Sequence, residues 1–508
     1  MRKISRAIVI IFIPFILLNF ISCKRFNIKS TDELITAPNN NANYLSGVWK
    51  VKSVKIVDSN LANNKSESDL MNVSISFSDS MAVVGSNTLM NPKTKLKVYY
   101  SEHYLLYQYN INLEQLNLAA NTPVKVISVY ENNNMFCEAI LTDSKDGYIY
   151  QNGVIYQVYK ISEMVDKLPE ISKKDPVYGP KVESKAYSYD SPTGVLLGLK
   201  SARVKNKDGS YNEDRYRTLW ISFDGKLNPI YERNDIFMPR LKGFSVMNVK
   251  NSFNASNSSN QEYVDIFGIT LNGIVENNKV KGGLPKGAEV NRESTRVAPI
   301  QKLIDILFVS NDYFSAQYYD GNLFNNSYPT LKTLPVDNPN NEVGLYLGTL
   351  GKEATKSYSS AVEVLKNKSG KVYKPNTQDF GVIRQNGYWS LKGRAVYDDD
   401  YSEFNLNILP GKKLITYDKL FVSWPAIKDR VPNALDAVTS PTARIAVVTT
   451  KTKLLIYNII NGELDKEPLK QIDLKDDEEI IMAEWANNEF VNSWTKAFKS
   501  YGNYSEIK

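Results

Sequence analysis

The sequence predicts an all-β protein. Three observations carry that prediction. From Gly47 onward, short runs rich in Val, Ile and Tyr alternate with turns of Asn, Asp and Gly, as in "VSISFS", "PVKVISVY" and "VIYQVYK". No amphipathic helical period interrupts the first of these runs, between Leu45 and Ser162. Two segments, opening at Ser191 and Ser440, repeat a strand–turn–strand–turn pattern.

The N-terminus comes first. Arg2, Lys3 and Arg6 precede an unbroken apolar stretch from Ala7 to Leu18. A charged start and about a dozen apolar residues form the layout of a secretory signal. As a helix the stretch rises about 18 Å, short of the roughly 20 residues that span a bilayer. Phe20-Ile21-Ser22 then lead to Cys23. This resembles the bacterial lipobox, in which an aliphatic residue and two further residues, the last one small, precede an invariant cysteine. Ser22 fits the position beside the cut, Ile21 is tolerated, and Phe20 departs from the usual Leu. The resemblance implies that residues 1–22 are a lipoprotein signal peptide. It also implies thioether lipidation of Cys23 and acylation of its new amine. The residues alone leave two alternatives: a plain secretory signal with an incidental cysteine, or an uncleaved anchor. Each buried CH₂ of an acyl chain contributes about 0.8 kcal/mol, so two or three chains hold a protein on a membrane. The expected location is a cell membrane or outer membrane, on its extracytoplasmic side. Residues 23–44, rich in Asn, Ser and Thr, read as a flexible tether.

Cys137 is the only other cysteine, so with the Cys23 sulfur held in a thioether it has no partner for an internal disulfide. It sits in the apolar run "MFCEAIL" and is expected to be a buried small hydrophobe. The chain carries 62 Lys+Arg against 55 Asp+Glu, a net charge of +7, without a basic run interleaved with aromatics. Nucleic acid is therefore not an expected partner.

Residues 45–162 are expected to be the first domain. "GVWKVKSVKIVD", "VSISFS", "MAVVGS", "LKVYY", "YLLYQYNI", "PVKVISVY", "MFCEAIL", "GYIYQ" and "VIYQVYK" read as short strands, about eight in all, which fits an up-and-down β-barrel. The opening Gly47-x-Trp49 and the closing Tyr-rich strand from Val154 to Tyr159 resemble bacterial lipocalin-like domains. That resemblance implies a Trp that plugs one end of the barrel. A β-sandwich with a core Trp is the alternative. Residues 163–190, with Pro169, Pro176 and Pro180, read as a linker.

Residues 191–508 form the larger piece. "SPTGVLLGLK…TLWISFDGKL" and "SPTARIAVVTTKTKLLIYNIINGEL" share Ser-Pro-Thr, an apolar strand, a polar turn, a second strand and an Asx-Gly turn. The unit resembles a β-propeller blade. At about 40–50 residues per blade, the distance between copies corresponds to roughly five or six blades. A β-sandwich or mixed β domain is the alternative. The echo pairs Val195-Leu196-Leu197 with Ile445-Ala446-Val447, and Leu219 and Ile221 with Leu455 and Tyr457. "EVGLYLGTLG" is taken as a further strand. "DKLFVSWPAIKDRVPNALDAVTSP" breaks the pattern as a loop with a helical turn, where a surface site could sit. The C-terminal segment begins as a strand and ends in a short helix, with Trp485, Phe490 and Trp494 spaced for one apolar face.

Chemistry-bearing patterns are sparse. His103 is the sole histidine, which excludes a His-dependent metal cluster and marks His103 as an ordinary barrel residue. Cys-x-x-Cys pairs and phosphate-loop motifs do not occur, and "KGGLPKG" reads as a loop. Asp398-Asp399-Asp400 and Asp476-Asp477-Glu478-Glu479 could hold Ca²⁺ or flank a sugar. Their place between strands makes solvated turns the expected role. No metal, cofactor or catalytic residue is expected. Trp389, Trp424, Trp485 and Trp494 fall in loops or strand ends and are the candidate binding surface. The expected function is non-enzymatic binding or scaffolding at the cell envelope, with membrane lipid held through Cys23 and a protein or peptide partner. Capture of a small apolar ligand in the barrel comes second, and a carboxylate-dependent hydrolase third.

Overall fold

The computed structural model describes residues 44–57, 62, 66–100, 105–106, 108–109, 123–131, 134–165, 191–204, 215–254, 259–269, 275–279, 288–289, 300–320, 328–341, 343–398, 400–460, 462–475 and 477–508. Residues 1–43, which hold the expected signal, Cys23 and all of the expected tether but Tyr44, lie outside the described residues, as do His103 and the expected linker beyond residue 165. The chain is all-β, with strands curled into a barrel-like sheet and then four sheets in a propeller-like arrangement.

The first sheet system contains β1 (Gly47–Ile56), β2 (Ile75–Phe77), β3 (Met81–Val84), β4 (Asn87–Met90), β5 (Lys93–Tyr100), β6 (Pro123–Glu131), β7 (Asn134–Leu141), β8 (Asp146–Gln151) and β9 (Val154–Ser162). Their order is 4-3-2-1-9-8-7-6-5. Sequence neighbours pair everywhere except between β4 and β5, and β1 pairs antiparallel with β9, as an up-and-down barrel requires. β4 and β5 are consecutive in the chain but stand at opposite edges of the sheet, so it is a half-barrel with an open seam. A short helix, α1 (Glu67–Leu70), is capped by Ser66 and buries Leu70.

Period-two alternation sends Trp49, Val51, Phe77, Val129, Cys137, Ala139 and Tyr156 into one core inside the curl. Cys137 is buried there as expected, and burial pushes its thiol up. The Trp49 indole N–H donates to the Leu45 carbonyl at 2.8 Å, and Lys160 Nζ lies 5.1 Å from its ring centroid. Gly47 has φ +122°, and a Cβ there would collide with the Ser162 carbonyl oxygen. The opposite face carries Val124, Val126, Ile140, Tyr148 and Ile155 under Leu105 and Tyr109. The stretch "YLLYQYNI" is a correction to the expected strands: residues 105, 106, 108 and 109 are helical. Its apolar side chains cover the sheet instead of joining it.

The larger body opens with β10 (Thr193–Lys200), β11 (Tyr216–Asp224), β12 (Lys226–Leu227) and β13 (Ile230–Asn234). Its second sheet comprises β14 (Ile236–Pro239), β15 (Phe244–Asn254), β16 (Ser259–Ile269), β17 (Val275–Lys279), β18 (Ala288–Glu289), β19 (Ile300–Val309), β20 (Tyr313–Asp320) and β21 (Thr330–Pro335). The third holds β22 (Lys374–Gln385), β23 (Tyr388–Tyr397) and β24 (Asp400–Leu406). The fourth holds β25 (Asp436–Thr439), β26 (Ile445–Thr449), β27 (Lys453–Ile460), β28 (Glu463–Leu464) and β29 (Lys470–Asp473). The chain then returns to the first sheet. β30 (Glu479–Asn487) pairs with β10, and β31 (Ser505–Ile507) pairs with β13.

Each sheet packs against two neighbours, and strands buried on both faces, such as β10, β11 and β26, read as near-continuous apolar runs. Leu196 and Trp220 of the first sheet pack with Phe237, Phe244, Ile304 and Phe314 of the second. Phe308 of the second packs with Phe380, Val382, Trp389 and Leu391 of the third. Tyr388 of the third packs with Ala437, Ala446, Val448 and Tyr457 of the fourth. Ile445, Val447, Leu454 and Ile456 of the fourth pack with Val195, Leu197, Leu219 and Ile221 of the first. The four seams run in a closed circuit.

The Ser-Pro-Thr echo is structural. Thr193 starts the second strand of the order β30-β10-β11-β13, and Ser440 opens the turn that leads from β25 into the second strand of β25-β26-β27-β29. The echo's register is corrected by one residue, because Val195 opposes Ile221 whereas Ala446 opposes Tyr457. The expected five or six blades are corrected to four sheets. The second sheet joins two antiparallel groups, β14–β16 and β19–β21, through the short parallel pairing of Asn260 with Ile300 and Gln261 with Lys302.

Three longer helices decorate the body: α2 (Lys352–Ser369), α3 (Trp424–Arg430) and α4 (Glu489–Ser500). α2 buries Ala354 and Tyr358 and stops at Gly370, whose φ of +68° forms the left-handed cap. "EVGLYLGTLG" is not a strand; Leu347–Leu350 are a 3₁₀ turn leading into α2. The apolar face of α4 is Val491, Trp494 and Phe498, and Phe490 points outward, 56 % exposed.

Candidate functional site

The four tryptophans do not form one surface. Trp389 is 2 % exposed, inside the third sheet's core, with Phe308 at 4.8 Å between centroids. Trp494 is partly buried against Trp220 at 6.0 Å and Phe244 at 5.7 Å. Trp424, partly buried, packs on the core of the fourth sheet, and Trp485 on the seam between the fourth and first. The reason is general: a Trp near a strand end packs more apolar area inward than a polar rim can offset. Trp389 and Trp485 do share a small cleft with Arg384, but its volume is about 10 Å³, room for no more than one water. Arg384 is consumed there, donating to Asp436 at 2.8 Å, Asp418 at 3.1 Å and the Ala437 carbonyl at 2.5 Å. Burial pushes the Asp418 carboxyl up to about 6 against the pull of Arg384. This is a clasp between the third and fourth sheets.

The loop with the helical turn has a different use from the one expected. Asp429 of α3 pairs with Lys95 and Lys97 of β5, each at 2.9 Å, and Lys97 also donates to the Pro425 carbonyl at 3.1 Å. Tyr388 donates to Gln108 at 3.0 Å. The loop thus holds the half-barrel.

The acidic clusters split. Asp400, exposed at the start of β24, accepts from the Tyr397 hydroxyl at 2.7 Å, and that bond leads in holding its carboxyl below the usual range. Asp399 and Asp476 lie outside the described residues. Glu478 corrects the expected solvated turn, because it is 7 % exposed and receives the Arg217 guanidinium at 2.8 and 2.7 Å. Arg217 also reaches Glu232 at 2.9 Å.

The side chains that do converge lie at the seam of the first and second sheets. A cleft of about 310 Å³ is lined by Lys200, Ala202, Arg203 and Arg215 from one side, Leu303, Asp305 and Tyr319 from the other, with Asp477 and Glu479 beside them. The cations come from the end of β10 and the start of β11, strands that pair along their full length, so Lys200 stands opposite Tyr216, the residue after Arg215. Asp305 receives Arg215 at 2.6 Å and Lys200 at 3.3 Å. Burial pushes the Asp305 carboxyl up, but Lys200, Arg215 and Arg203 outweigh it and hold it below the carboxylate range. Arg203 grips Glu262 with two bonds, 2.6 and 3.0 Å, and donates to the Ile304 carbonyl at 2.9 Å. Arg215 is 5 % exposed, yet its Nε and Nη1 have no hydrogen-bond partner among the described residues.

The sequence reading missed this cleft entirely. The available signal was the spacing of Lys200, Arg203, Arg215 and Arg217 on both sides of the insertion between two apolar strands. Long charged residues at the ends of fully buried strands must find partners across a seam.

Among the described residues, no three His, Cys, Asp or Glu side chains gather closely enough to hold a metal ion. Among them, too, no helix is long and apolar enough to cross a membrane. Compared with models of known protein families and with curated proteins, the chain matches none.

Proposed function

We propose that the chain is a lipid-tethered, extracytoplasmic binding protein that acts without catalysis. Its binding element is the four-sheet body, and the half-barrel serves as a fixed module beside it. The observation that carries the reading is the cleft between the first and second sheets, an opening of about 310 Å³ with charges of both signs on a closed ring of packed strands. Pockets of roughly this size and larger are where small ligands bind, given a few convergent polar groups. The inside of the half-barrel supports the same assignment, since Trp49, Ile75, Phe77, Ile149 and Tyr156 fill it. Support for the tether comes from the charged start, the apolar stretch and Phe20-Ile21-Ser22-Cys23.

Metabolic labelling with a fatty-acid analogue tests the tether. Wild type takes up label, and Cys23→Ala loses it and stays unprocessed. Equal label in both defeats the lipoprotein assignment. Pull-down of the anchored form, with mass spectrometry of what accompanies it, tests binding at the envelope. A chain that recovers no ligand or partner above cells lacking the protein counts against it.

A further inference from the structure

We propose that the cleft between the first and second sheets binds a small zwitterion of the amino-acid or short-peptide class. Its carboxylate sits toward Arg215 and Lys200, and its ammonium toward Asp477 and Glu479. The inference rests on reading the four-sheet body as a binding element.

The argument begins with Arg215. A guanidinium carries five N–H donors in a fixed plane. Here Nη2 is used by Asp305 at 2.6 Å, while Nε and Nη1 are buried and make no hydrogen bond among the described residues. Buried donors are nearly always satisfied, so the vacancy calls for an acceptor. The neighbouring charges say which acceptor fits. Lys200 and Arg203 stand on the same side, and two carboxylates, Asp305 and Glu262, already balance two of these three cations. One positive charge remains in the inner layer, met only by the 3.5 Å reach of Lys200 to Glu479 at the rim, and it suits one carboxylate. The rim has the opposite sign. Asp477 is exposed, and Glu479, with a 70 % exposed side chain, keeps only a 3.5 Å pair with Lys200. Cation inside and carboxylates outside is the polarity a zwitterion needs. A doubly charged anion such as phosphate would meet the rim repulsively. Leu303, Ala202 and the Tyr319 ring supply walls for a short side chain.

Detergent-solubilised full-length protein would be titrated by calorimetry with L-alanine, L-alanyl-L-alanine, acetate, n-propylamine and inorganic phosphate. Alanine or the dipeptide should bind saturably, and acetate and propylamine at least about tenfold more weakly, because each leaves one set of site charges unpaired. Glu479→Gln, an exposed change that leaves the packing alone, should weaken the zwitterion several-fold and bind acetate no more weakly than wild type does. Arg215→Gln should abolish both. If Arg215→Gln does not fold, the wild-type ratio of alanine to acetate and the Glu479→Gln comparison still decide the matter. No binding of either zwitterion, equal binding of acetate, or preference for phosphate each overturns the inference. Those outcomes leave the labelling and pull-down results standing, so failure of the cleft and failure of the tethered-binder reading are told apart.

Discussion

Gly194→Ala is expected to destabilise the body through one contact. Gly194 is in β10, opposite Ser222 in the next strand. A Cβ built there meets Trp220 Cη2 at 2.5 Å, Trp220 Cζ2 at 2.8 Å and Ser222 Cβ at 3.2 Å. Carbon pairs prefer about 3.5–4.0 Å, so the indole must retreat by about 1 Å. It has nowhere to go. Trp220 is 0 % exposed, donates to Thr495 at 2.9 Å and lies in a core with Trp494. Overpacking of this kind costs about 1–3 kcal/mol, and the fixed indole places Gly194→Ala at about 2–3. Trp220→Phe removes the atoms that collide, at a cost of about 2 kcal/mol for the lost ring area and hydrogen bond. Independent sites would make the double variant about 4–5 kcal/mol worse than wild type. The contact predicts instead that the double variant is no worse than Trp220→Phe by more than about 0.5 kcal/mol, a coupling of about 2. Urea unfolding followed by far-ultraviolet circular dichroism measures all four proteins. Simple additivity refutes the argument.

The remaining predictions are independent of that contact. Leu196→Asp and Ala446→Asp, both at 0 % exposure in equivalent sheets, should each cost about 3 kcal/mol or more, while Lys451→Asp in its exposed turn should be nearly neutral in thermal melts. Glu484 is partly buried, and burial, with the charge of Asp312 adding, pushes its carboxyl up to about 8. The folded state therefore holds this proton more tightly than the unfolded chain. Its contribution to stability is full below about pH 4.5 and is lost as pH rises to about 8. Glu484→Gln should remove about 2–4 kcal/mol of that slope, the full shift being reduced by the side chain's remaining solvent access, and melts across pH 5–9 with no difference between the two proteins would contradict this. Cys137, 1 % exposed, should react with a thiol reagent only after unfolding, so prompt labelling of native Cys23→Ala protein would place it elsewhere.

Strand positions were legible because buried sheets write themselves as apolar runs. β1, β3, β6 to β11 and β30 all lie in segments readable from Val, Ile, Tyr and Asx-Gly spacing alone. The echo of Ser191 and Ser440 was legible too, since equivalent strands face equivalent seams. α2 was not found, although Ala354 and Tyr358 lie four apart between Gly351 and Gly370, because most of the helix is polar and its burial is narrow. Residues 105–109 were misread because a helix lying on a sheet and a strand within it share the same apolar composition. The tryptophans were misread for a related reason: a position near a strand end does not reveal which way the indole packs. The cleft was invisible because its parts come from β10, β11, β19, β20 and the entry to β30, which meet only when the ring closes.

That closure also sets a timetable. Thr193 pairs with Asn487, and Lys200 with Glu479, so the body's earliest strand waits for nearly its last. A chain that emerges N-terminus first presents β10 with one unpaired edge and half of two cores until β30 arrives. Unpaired edges recruit other chains, so the interval is the molecule's period of greatest exposure to mispairing. A product cut short before Asp477 never leaves that interval. It lacks a sheet edge, the Glu478 partner of Arg217 and the rim of the cleft together, so incompleteness at the C-terminus is registered at once as loss of shape and loss of the site.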